Sequence, residues 1–593
     1  MGPSKRRIYR HDEASSNPFN YYNSGKGSDR TEGAFRAISV RRLLRRTPEI
    51  ALYEWQNVKF PLSKPNPLGK INYVAASHVW DESSEVKSII AGTPKRPLRV
   101  DTGKPSPHQI SWWGLVDVAY AALELRADYI WIDFFCLDQV DRGDKDKALQ
   151  ICMMADIYKH AKDVVVMVGG MSAVQSVANN TMWMDRAWTL QEAILNRNYT
   201  YVYVEWALSP NPTDSKGKTY KFTPVRKAPG KYLIDIRTLL DMVDADFSSV
   251  VPPLPKIVVL DGVVKGEGSR ARHSLRASLS SKKSIRTAAI WRSMMMRRSS
   301  QPVDIVYSAM GCFELQIDPY RENHDPEYLF NDLARKAAAK KGLGPAWLNI
   351  EGVAGSEIAR YPASRIVPTF PQTSPDKPSV WTAADGTKKS AATFITKLAD
   401  YVSRFNATFI THSHPHVISA YMLPLTWERL IASGKANVKL WTMRGTIYYS
   451  SKLDRRSWKN VHAIYIGQVG DMGTGPKAPH KGHYYFLFLK WQGGQWDFYG
   501  DGSFRPRGGK WRAPQGRMNR WLFTIGRGAQ DRIPRWQAPS GGFWLDQRTT
   551  HFKYHSYGIV PLKDFLIKES PQRQIAWLGI KVITVFRSAQ AAD

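Results

Sequence analysis

The sequence predicts an α/β protein whose N-terminal third folds around a parallel sheet. Short apolar segments alternate there with stretches of helical periodicity, as at 129–135 and 109–126. Parallel strands need crossover helices, which cover both faces of such a sheet. Two later changes in composition predict a helical middle region and a β-rich C-terminal region.

Each element of the N-terminal region follows from its local pattern. Apolar runs and alternations predict strands at 37–44, 50–58, 71–77, 129–135, 164–168 and 199–206. Apolar residues at helical spacing predict helices at 109–126 and 183–195, and a third helix that Asp144 caps. In parallel sheets ligands bind at the carboxyl ends of the strands, so we expect a site near Ser77 and Asp133.

The composition divides the chain into five segments. They are a polar, disordered lead-in at 1–33, the α/β domain at 34–206, a basic flexible insert at 207–300, a helical middle region at 301–400 and a β-rich domain at 401–593. The insert contains ten Lys and Arg but only one acidic residue between positions 265 and 298. The last domain contains ten of the 21 tryptophans, in alternating runs that are typical of strands.

The formal net charge of +32 favours acidic partners, among them nucleic acid. No nucleic-acid recognition motif accompanies that charge, so nucleic-acid binding stays an alternative. The three cysteines form no close pair, which argues against a disulfide framework and favours a reducing, cytoplasmic location. Basic clusters at 5–7 and 41–46 leave a nuclear location open. No apolar run of about 18 residues occurs, so we expect no membrane span.

A metal site has weak support. His412, His414 and His416 lie close together, but Pro415 interrupts them and no acidic ligand is adjacent. A surface loop is the favoured interpretation of this stretch, and we predict no metal site.

Three short blocks carry the strongest functional signal. They are Ala76–Trp80, Trp131–Gln139 and Arg186–Glu192. In this order and spacing they resemble the HET domain of fungal heterokaryon-incompatibility proteins, which sense non-self and trigger cell death. The resemblance covers residues 37–205, with a weaker echo at 300–335. It departs from the family pattern at His78, at Phe134 and after Trp80, where Asp81 replaces a usual glycine.

HET domains are also similar to TIR domains, which have a flavodoxin-like sheet, and some TIR proteins cleave NAD at its bond to nicotinamide. Their catalytic glutamate lies in a Trp-x-x-x-Glu pattern, which this chain matches from Trp188 to Glu192. The resemblance therefore implies that Glu192 is catalytic. Asp133 ends an apolar strand, where a carboxylate is solvated, paired or functional, so it is a second catalytic candidate. In the structural alternative Trp188 is a core residue and Glu192 pairs with Arg186 or Arg197.

The same resemblance implies a nucleotide-binding surface around these carboxylates. Its candidate residues are Ser77, Trp80, Asp138, Gln139, Arg186 and Trp188. Ser77 and Arg186 suit phosphate or ribose, and an indole suits a nicotinamide or adenine ring. In the alternatives Asp138 and Gln139 cap a turn, and Arg186 pairs with Asp185 or Glu192. NAD is the candidate substrate, and no further cofactor is required.

Three functions are consistent with the sequence. The first is a HET-domain effector of non-self recognition that promotes cell death through NAD hydrolysis, in response to an unknown protein trigger. The second is a non-enzymatic signalling scaffold that acts by self-association through the HET domain. The third is a basic nucleic-acid-associated protein.

Overall fold

The chain forms two compact units. The first comprises residues 1–279, 296–325 and 373–378, and the second comprises residues 280–295, 326–372 and 379–593. The computed structural model describes residues 5–12, 34–59, 67–79, 97–100 and 108–137, residues 145–317 except 172, 197, 209, 249, 251–252 and 263–267, residues 325–350 except 341–342, residues 367–395 except 376 and 384–385, and from residue 400 the strands given below.

A mixed sheet forms the centre of the first unit. Its described strands are β1 Lys5–Asp12, β2 Ala34–Ser39, β3 Glu49–Lys59, β4 Tyr73–His78, β7 Tyr129–Trp131, β8 Asp163–Met167, β9 Gln175–Ser176, β10 Thr200–Glu205, β11 Thr223–Pro224 and β12 Lys231–Asp235, while β5 Pro97–Val100 and β6 His108–Ser111 pair separately. The order is β1-β3-β2-β7-β4-β8-β10-β12-β11, with β9 beside β10. Strands β7, β4, β8 and β10 are parallel, and antiparallel strands extend the sheet on both sides. The predicted α/β class is confirmed, with the parallel strands inside a mixed sheet.

Eleven helices are described. They are α1 Val40–Leu43, α2 Trp112–Glu124, α3 Asp133–Cys136, α4 Lys145–His160, α5 Thr189–Ile194, α6 Ile236–Val243, α7 Gly268–Ser278, α8 Lys283–Met295, α9 Asp304–Met310, α10 Pro326–Ala339 and α11 Ala391–Phe394, with 3₁₀ turns at Pro67–Lys70, Trp183–Asp185, Gly311–Phe313 and Ala346–Asn349. In α2, which crosses from β4 to β7, the Ser111 hydroxyl accepts a hydrogen bond from the Gly114 N–H. A Cβ on Gly114 would lie 2.1 Å from the Met171 carbonyl oxygen, so glycine permits this close approach.

Two predicted elements differ from their sequence pattern: one ends earlier, and the other is interrupted. The strand predicted at 129–135 stops at Trp131, because Asp133 begins helix α3 and its carboxylate accepts a hydrogen bond from the Phe134 N–H at 2.8 Å. The helix predicted at 183–195 consists of a 3₁₀ turn and helix α5, with an irregular segment at 186–188 between them. In that segment the Ala187 N–H donates to the Arg298 carbonyl instead of a helical partner. Apolar periodicity alone does not detect such a break.

The lead-in and the insert both contain regular structure. Residues Lys5–Asp12 form β1, which pairs antiparallel with β3, whereas the sequence predicted disorder over 1–33. Pairing with a neighbouring strand provides hydrogen-bond partners that composition does not reveal. Residues 13–33 lie outside the described residues. The predicted insert at 207–300 contains strands β11 and β12 and helices α6, α7 and α8. The boundaries of the five predicted segments otherwise remain predictions.

The second unit is rich in antiparallel strands. They are β13 Val380–Thr382, β14 Lys388–Ser390, β15 Asp400–Phe405, β16 Thr408–Phe409, β17 Val417–Leu423, β18 Leu425–Ile431, β19 Lys435–Leu440, β20 Met443–Tyr449, β21 Val461–Asp471, β22 Tyr484–Gln492, β23 Gln495–Pro506, β24 Trp521–Thr524, β25 Phe543–Leu545 and β26 Tyr554–Gly558. The larger sheet has the order β16-β17-β21-β22-β23-β20-β19-β18. These strands confirm that the C-terminal region is rich in β structure. Among the described residues of the whole chain, no helix is both long and apolar enough to cross a membrane.

Candidate functional site

Glu192 is buried at the carboxyl end of strand β4. Its Oε2 accepts a hydrogen bond from the Ser77 hydroxyl at 2.5 Å, and the Trp183 indole N–H donates to the Ser77 oxygen at 2.7 Å. Ser77 is fully buried, and Glu192 is 4% exposed. Strand β4 lies between parallel neighbours on both sides, which places Ser77 in the sheet interior beside helix α5. A chain of donors from Trp183 through Ser77 therefore holds one oxygen of the carboxylate.

A second pair of side chains lies where strands β4 and β7 end. The His78 Nε2 lies 2.6 Å from the Asp133 Oδ1, and the His78 ring stacks on the Phe134 ring with centroids 4.2 Å apart. The His78 side chain is 1% exposed, whereas the Asp133 side chain is 17% exposed. Parallel strands bring their carboxyl ends to the same edge of the sheet, which explains this meeting. Of the carboxylates at this edge, Asp133 is the more accessible to solvent.

The environment of Glu192 raises its pKa to about 7. Burial is the main cause, because it disfavours the charged form. The hydrogen bond from Ser77 opposes that effect, the Asp133 charge adds to it, and the positive charges of His78 and Arg297 oppose it. Near neutral pH, Glu192 therefore exchanges between acid and carboxylate, a property that suits general acid–base chemistry.

The pKa of His78 is also raised, but here burial opposes the rise, which nearby carboxylates cause. Burial lowers its pKa, but attraction to Asp133, the hydrogen bond to that carboxylate and the charge of Glu192 raise it above the ordinary value overall. The Tyr158 hydroxyl donates to the Ala76 carbonyl oxygen at 3.1 Å, and burial raises the pKa of this phenol. The site thus combines two titrating groups, Glu192 and His78, with the neutral hydroxyl of Tyr158.

Two arginines fasten the segment that precedes helix α5. The Arg298 guanidinium donates to the Asp185 carboxylate at 2.7 Å, and Arg297 donates to the Arg186 carbonyl at 2.8 Å. Asp185, one of the partners considered for Arg186, therefore forms its ion pair with Arg298. The segment between Trp183 and Glu192 is fixed by residues from a distant part of the chain.

The structure brings together three of the predicted site residues, namely Ser77, Asp133 and Glu192. Arg186 and Trp188 lie in the irregular segment before α5, and both are half-buried. Trp188 occupies the N-cap position of α5 with helical backbone angles, and its shared helix face with Glu192 stays a prediction. The roles of Trp80, Asp138 and Gln139 remain predictions, because these residues lie outside the described residues.

Sequence reasoning missed three side chains of the site: Trp183, Tyr158 and Arg297. Trp183 lies three residues before the third sequence block, so a search for aromatic residues beside that block would have found it. Tyr158 lies in the helix that the sequence predicts after Asp144, and Arg297 lies in the predicted insert. Nothing local in the sequence connects Arg297 with Glu192.

The described residues contain no group of three or more His, Cys, Asp or Glu side chains that could hold a metal ion. The histidines at positions 412, 414 and 416 lie outside the described part of the chain, so the prediction for them stays untested.

Gly262 is expected to be required beside the Asp185–Arg298 ion pair. It has a φ of +74°, and a Cβ there would lie 2.4 Å from the Asp185 Oδ1. Gly262→Ala should lower the free energy of unfolding by about 1–2 kcal/mol, through left-handed strain and displacement of the carboxylate. Gly217→Ala is the matched control, because Gly217 has a φ of +80° with nothing within 4 Å of its Cβ position. Urea unfolding of both variants measures the difference, and equal losses would show that the contact with Asp185 is unimportant.

One comparison with known proteins, that with family models, found a match. Residues 73–182 match the family model described as heterokaryon incompatibility protein (HET). The matched stretch begins with strand β4 and includes Ser77, His78 and Asp133, whereas Glu192 lies beyond its end. Neither the comparison with curated proteins nor that with solved structures found a match. The chain therefore carries a heterokaryon-incompatibility (HET) domain over residues 73–182.

Proposed function

We propose that this protein is an effector of fungal non-self recognition that promotes cell death by hydrolysing NAD at its bond to nicotinamide. The HET domain supports a role in heterokaryon incompatibility. The finer proposal rests chiefly on one observation, the buried Glu192 with a pKa of about 7 at the carboxyl end of a parallel strand. Its predicted location is the cytoplasm, with the nucleus as an alternative.

The strand order supports a TIR-like arrangement of the parallel strands. In chain order β4, β7, β8 and β10 are the first to fourth parallel strands of this group, and they lie in the order second, first, third, fourth. Flavodoxin-like sheets have this order, and their ligands bind where the direction of winding changes, beside the first strand. Ser77 and His78 end that first strand.

In this proposal, Glu192 performs the main chemical step. Cleavage of the glycosidic bond leaves positive charge on the ribose, and a nearby carboxylate stabilises such an oxocarbenium-like transition state. Ser77 holds the carboxylate, and Asp133 orients ribose or the attacking water. The low exposure of Glu192 means that substrate reaches it only when the site opens locally.

The proposal is tested by incubating the full chain with NAD and measuring nicotinamide release. Glu192→Gln is expected to lower the rate by about 10²–10⁴-fold, because it removes the ionisable group but keeps the shape. Glu205→Gln is the matched control, since Glu205 is exposed at the end of β10. Release that continues unchanged in Glu192→Gln contradicts the assigned role. No release from the folded wild-type protein at high concentration contradicts the hydrolase proposal itself.

Burial of Glu192 is also compatible with a purely structural role for this residue, so a scaffold that acts by self-association is a second candidate function. A carboxyl group that accepts a hydrogen bond from Ser77 inside a core serves as well to fix a fold as to catalyse a reaction. Light scattering over a range of protein concentrations distinguishes the two functions. Concentration-dependent assembly without nicotinamide release would favour the scaffold.

A further inference from the structure

Arg297 and Arg298 form a buried pairing with the segment before helix α5. They are 2% and 4% exposed. The Arg298 N–H donates to the Asp185 carbonyl at 2.6 Å, and the Ala187 N–H donates to the Arg298 carbonyl at 2.9 Å. These two bonds form a parallel bridge between Arg186 and Arg298. The backbone of the pair thus lies alongside residues 185–187.

Both guanidinium groups add to this backbone pairing. Arg297 Nη1 donates to the Arg186 carbonyl at 2.8 Å and to the Thr189 hydroxyl oxygen at 2.5 Å. Arg298 Nη2 donates to the Asp185 carboxylate at 2.7 Å. Every one of these partners lies between Trp183 and Glu192, the two residues whose side chains meet at Ser77.

Helix α5 depends on contacts of this kind. It contains six residues, and its N-cap, Trp188, makes no side-chain capping bond. Helices this short are not stable by themselves, so tertiary contacts determine where they begin and how they lie. Thr189 is the first residue of α5, and Arg297 binds its hydroxyl oxygen. Glu192 follows one turn later in the same helix.

Burying a guanidinium group costs free energy, because burial disfavours its charged form. Burial lowers the pKa of Arg297 to about 10, and the nearby charges of Asp185, Cys312 and Glu192 act against that shift. The Ser77 hydroxyl on β4 donates a hydrogen bond to Glu192. The ionisable groups that act on Glu192 are His78 on β4, Asp133 on α3, Tyr158 on α4, and Arg297. Arg297 thus places a positive charge near Glu192 as well as holding its helix.

We propose that Arg297 and Arg298 are positioning residues, a clamp that fixes Glu192 against Ser77 and Trp183. The clamp lies outside the residues that the family model matches, so in this chain the site is completed by a later part of the sequence. The fastening of the segment can be tested without any activity. Only its effect on catalysis rests on the proposed NAD hydrolysis.

The first experiment measures hydrogen exchange of the backbone amides in the full chain by mass spectrometry. Arg297→Met keeps an unbranched, apolar stem and removes the hydrogen-bond donors and the charge. It is expected to increase exchange about tenfold within 183–196, while exchange in β4 and β8 stays unchanged. Arg297→Lys restores the charge and should return part of the protection. Arg237→Met, which changes an exposed arginine on α6, is the matched control.

The second experiment measures how nicotinamide release by the same variants depends on pH. Arg297 stabilises the ionised form of Glu192, so Arg297→Met should raise the pH at which the carboxylate becomes available and lower kcat with little change in KM. Arg297→Lys should return the profile towards that of the wild type. A merely structural role would lower the amount of active protein without moving the profile.

The outcomes separate the clamp from the proposed function. Unchanged exchange at 183–196 in Arg297→Met overturns the clamp, whatever the NAD assay gives. Equal acceleration throughout residues 34–206 also overturns it, because that result means general destabilisation. Local acceleration in a protein that never releases nicotinamide supports the clamp and contradicts NAD hydrolysis. Local acceleration with an unshifted pH profile overturns the effect on Glu192.

Discussion

Glu192→Gln is expected to stabilise the protein at pH 8 by about 3 kcal/mol relative to the wild type. Burial raises the pKa of Glu192 from 4.5 to about 7, and each pKa unit corresponds to about 1.4 kcal/mol. An acid with a raised pKa binds its proton more tightly in the folded state. The stability that it contributes is complete below about pH 4.5 and is lost as the pH rises through about 7. Glutamine has no such loss.

Urea unfolding between pH 5 and pH 8, followed by tryptophan fluorescence, tests this expectation. The difference between Glu192→Gln and the wild type should be small at pH 5 and largest at pH 8. His78 also has a raised pKa, so its own contribution to stability falls as the pH rises. The charge of Glu192 is one of the lesser causes of that raised pKa, so this contribution is somewhat smaller in Glu192→Gln. Glu205→Gln should show no such trend. A difference that does not depend on pH would mean that Glu192 titrates normally in the folded protein.

The same substitution therefore has opposite effects on stability and on the proposed activity. Residues that serve catalysis often reduce stability, because their charge is held where the fold alone would not place it. A stabilised variant that releases no nicotinamide would fit a functional glutamate. A stabilised variant of a protein that never had activity would fit the scaffold instead.

Arg36→Met is expected to lower the free energy of unfolding by about 3–5 kcal/mol. Arg36 on β2 and Glu54 on β3 form an ion pair with 3.3 Å between Nε and Oε2, and both side chains are fully buried. Removal of the arginine leaves a buried carboxylate without its buried cation. Arg6 also contacts Glu54, but its side chain is 42% exposed, so Arg6→Met should cost less than about 1 kcal/mol.

The double variant Arg36→Met/Glu54→Gln provides the control for this second prediction. It removes the carboxylate charge together with the guanidinium, so it should recover a large part of the stability lost in Arg36→Met. Urea unfolding of the wild type, Arg36→Met, Glu54→Gln and the double variant gives the coupling between the two residues. Losses that simply add would show that Glu54 does not depend on Arg36.

The location of the parallel strands could be predicted from local pattern. Strand β4 was predicted at 71–77 and lies at Tyr73–His78, and β8 was predicted at 164–168 and lies at Asp163–Met167. Buried strands are short apolar runs, so their own side chains reveal them. The end of β7 was less predictable, because Phe134 and Phe135 are apolar in a helical turn as they would be in a strand.

The partners of Glu192 show where such prediction stops. The four-residue spacing of Trp188 and Glu192 favoured a shared helix face, yet the indole that reaches Ser77 belongs to Trp183. The segment at 186–188 lies between the two tryptophans and pairs with Arg298, which is distant in the chain. No local pattern in the sequence indicates a hydrogen bond to a residue so far away in the chain.

The sequence by itself determined the α/β class, the β-rich C-terminal region and the HET domain, because these depend on local periodicity and on short blocks of residues. It also singled out Ser77, Asp133 and Glu192. Only the tertiary structure decided that Trp183 and Arg297 join them and that Glu192 is buried. Burial and long-range pairing arise when distant segments pack together, and the pKa of Glu192 follows from that packing.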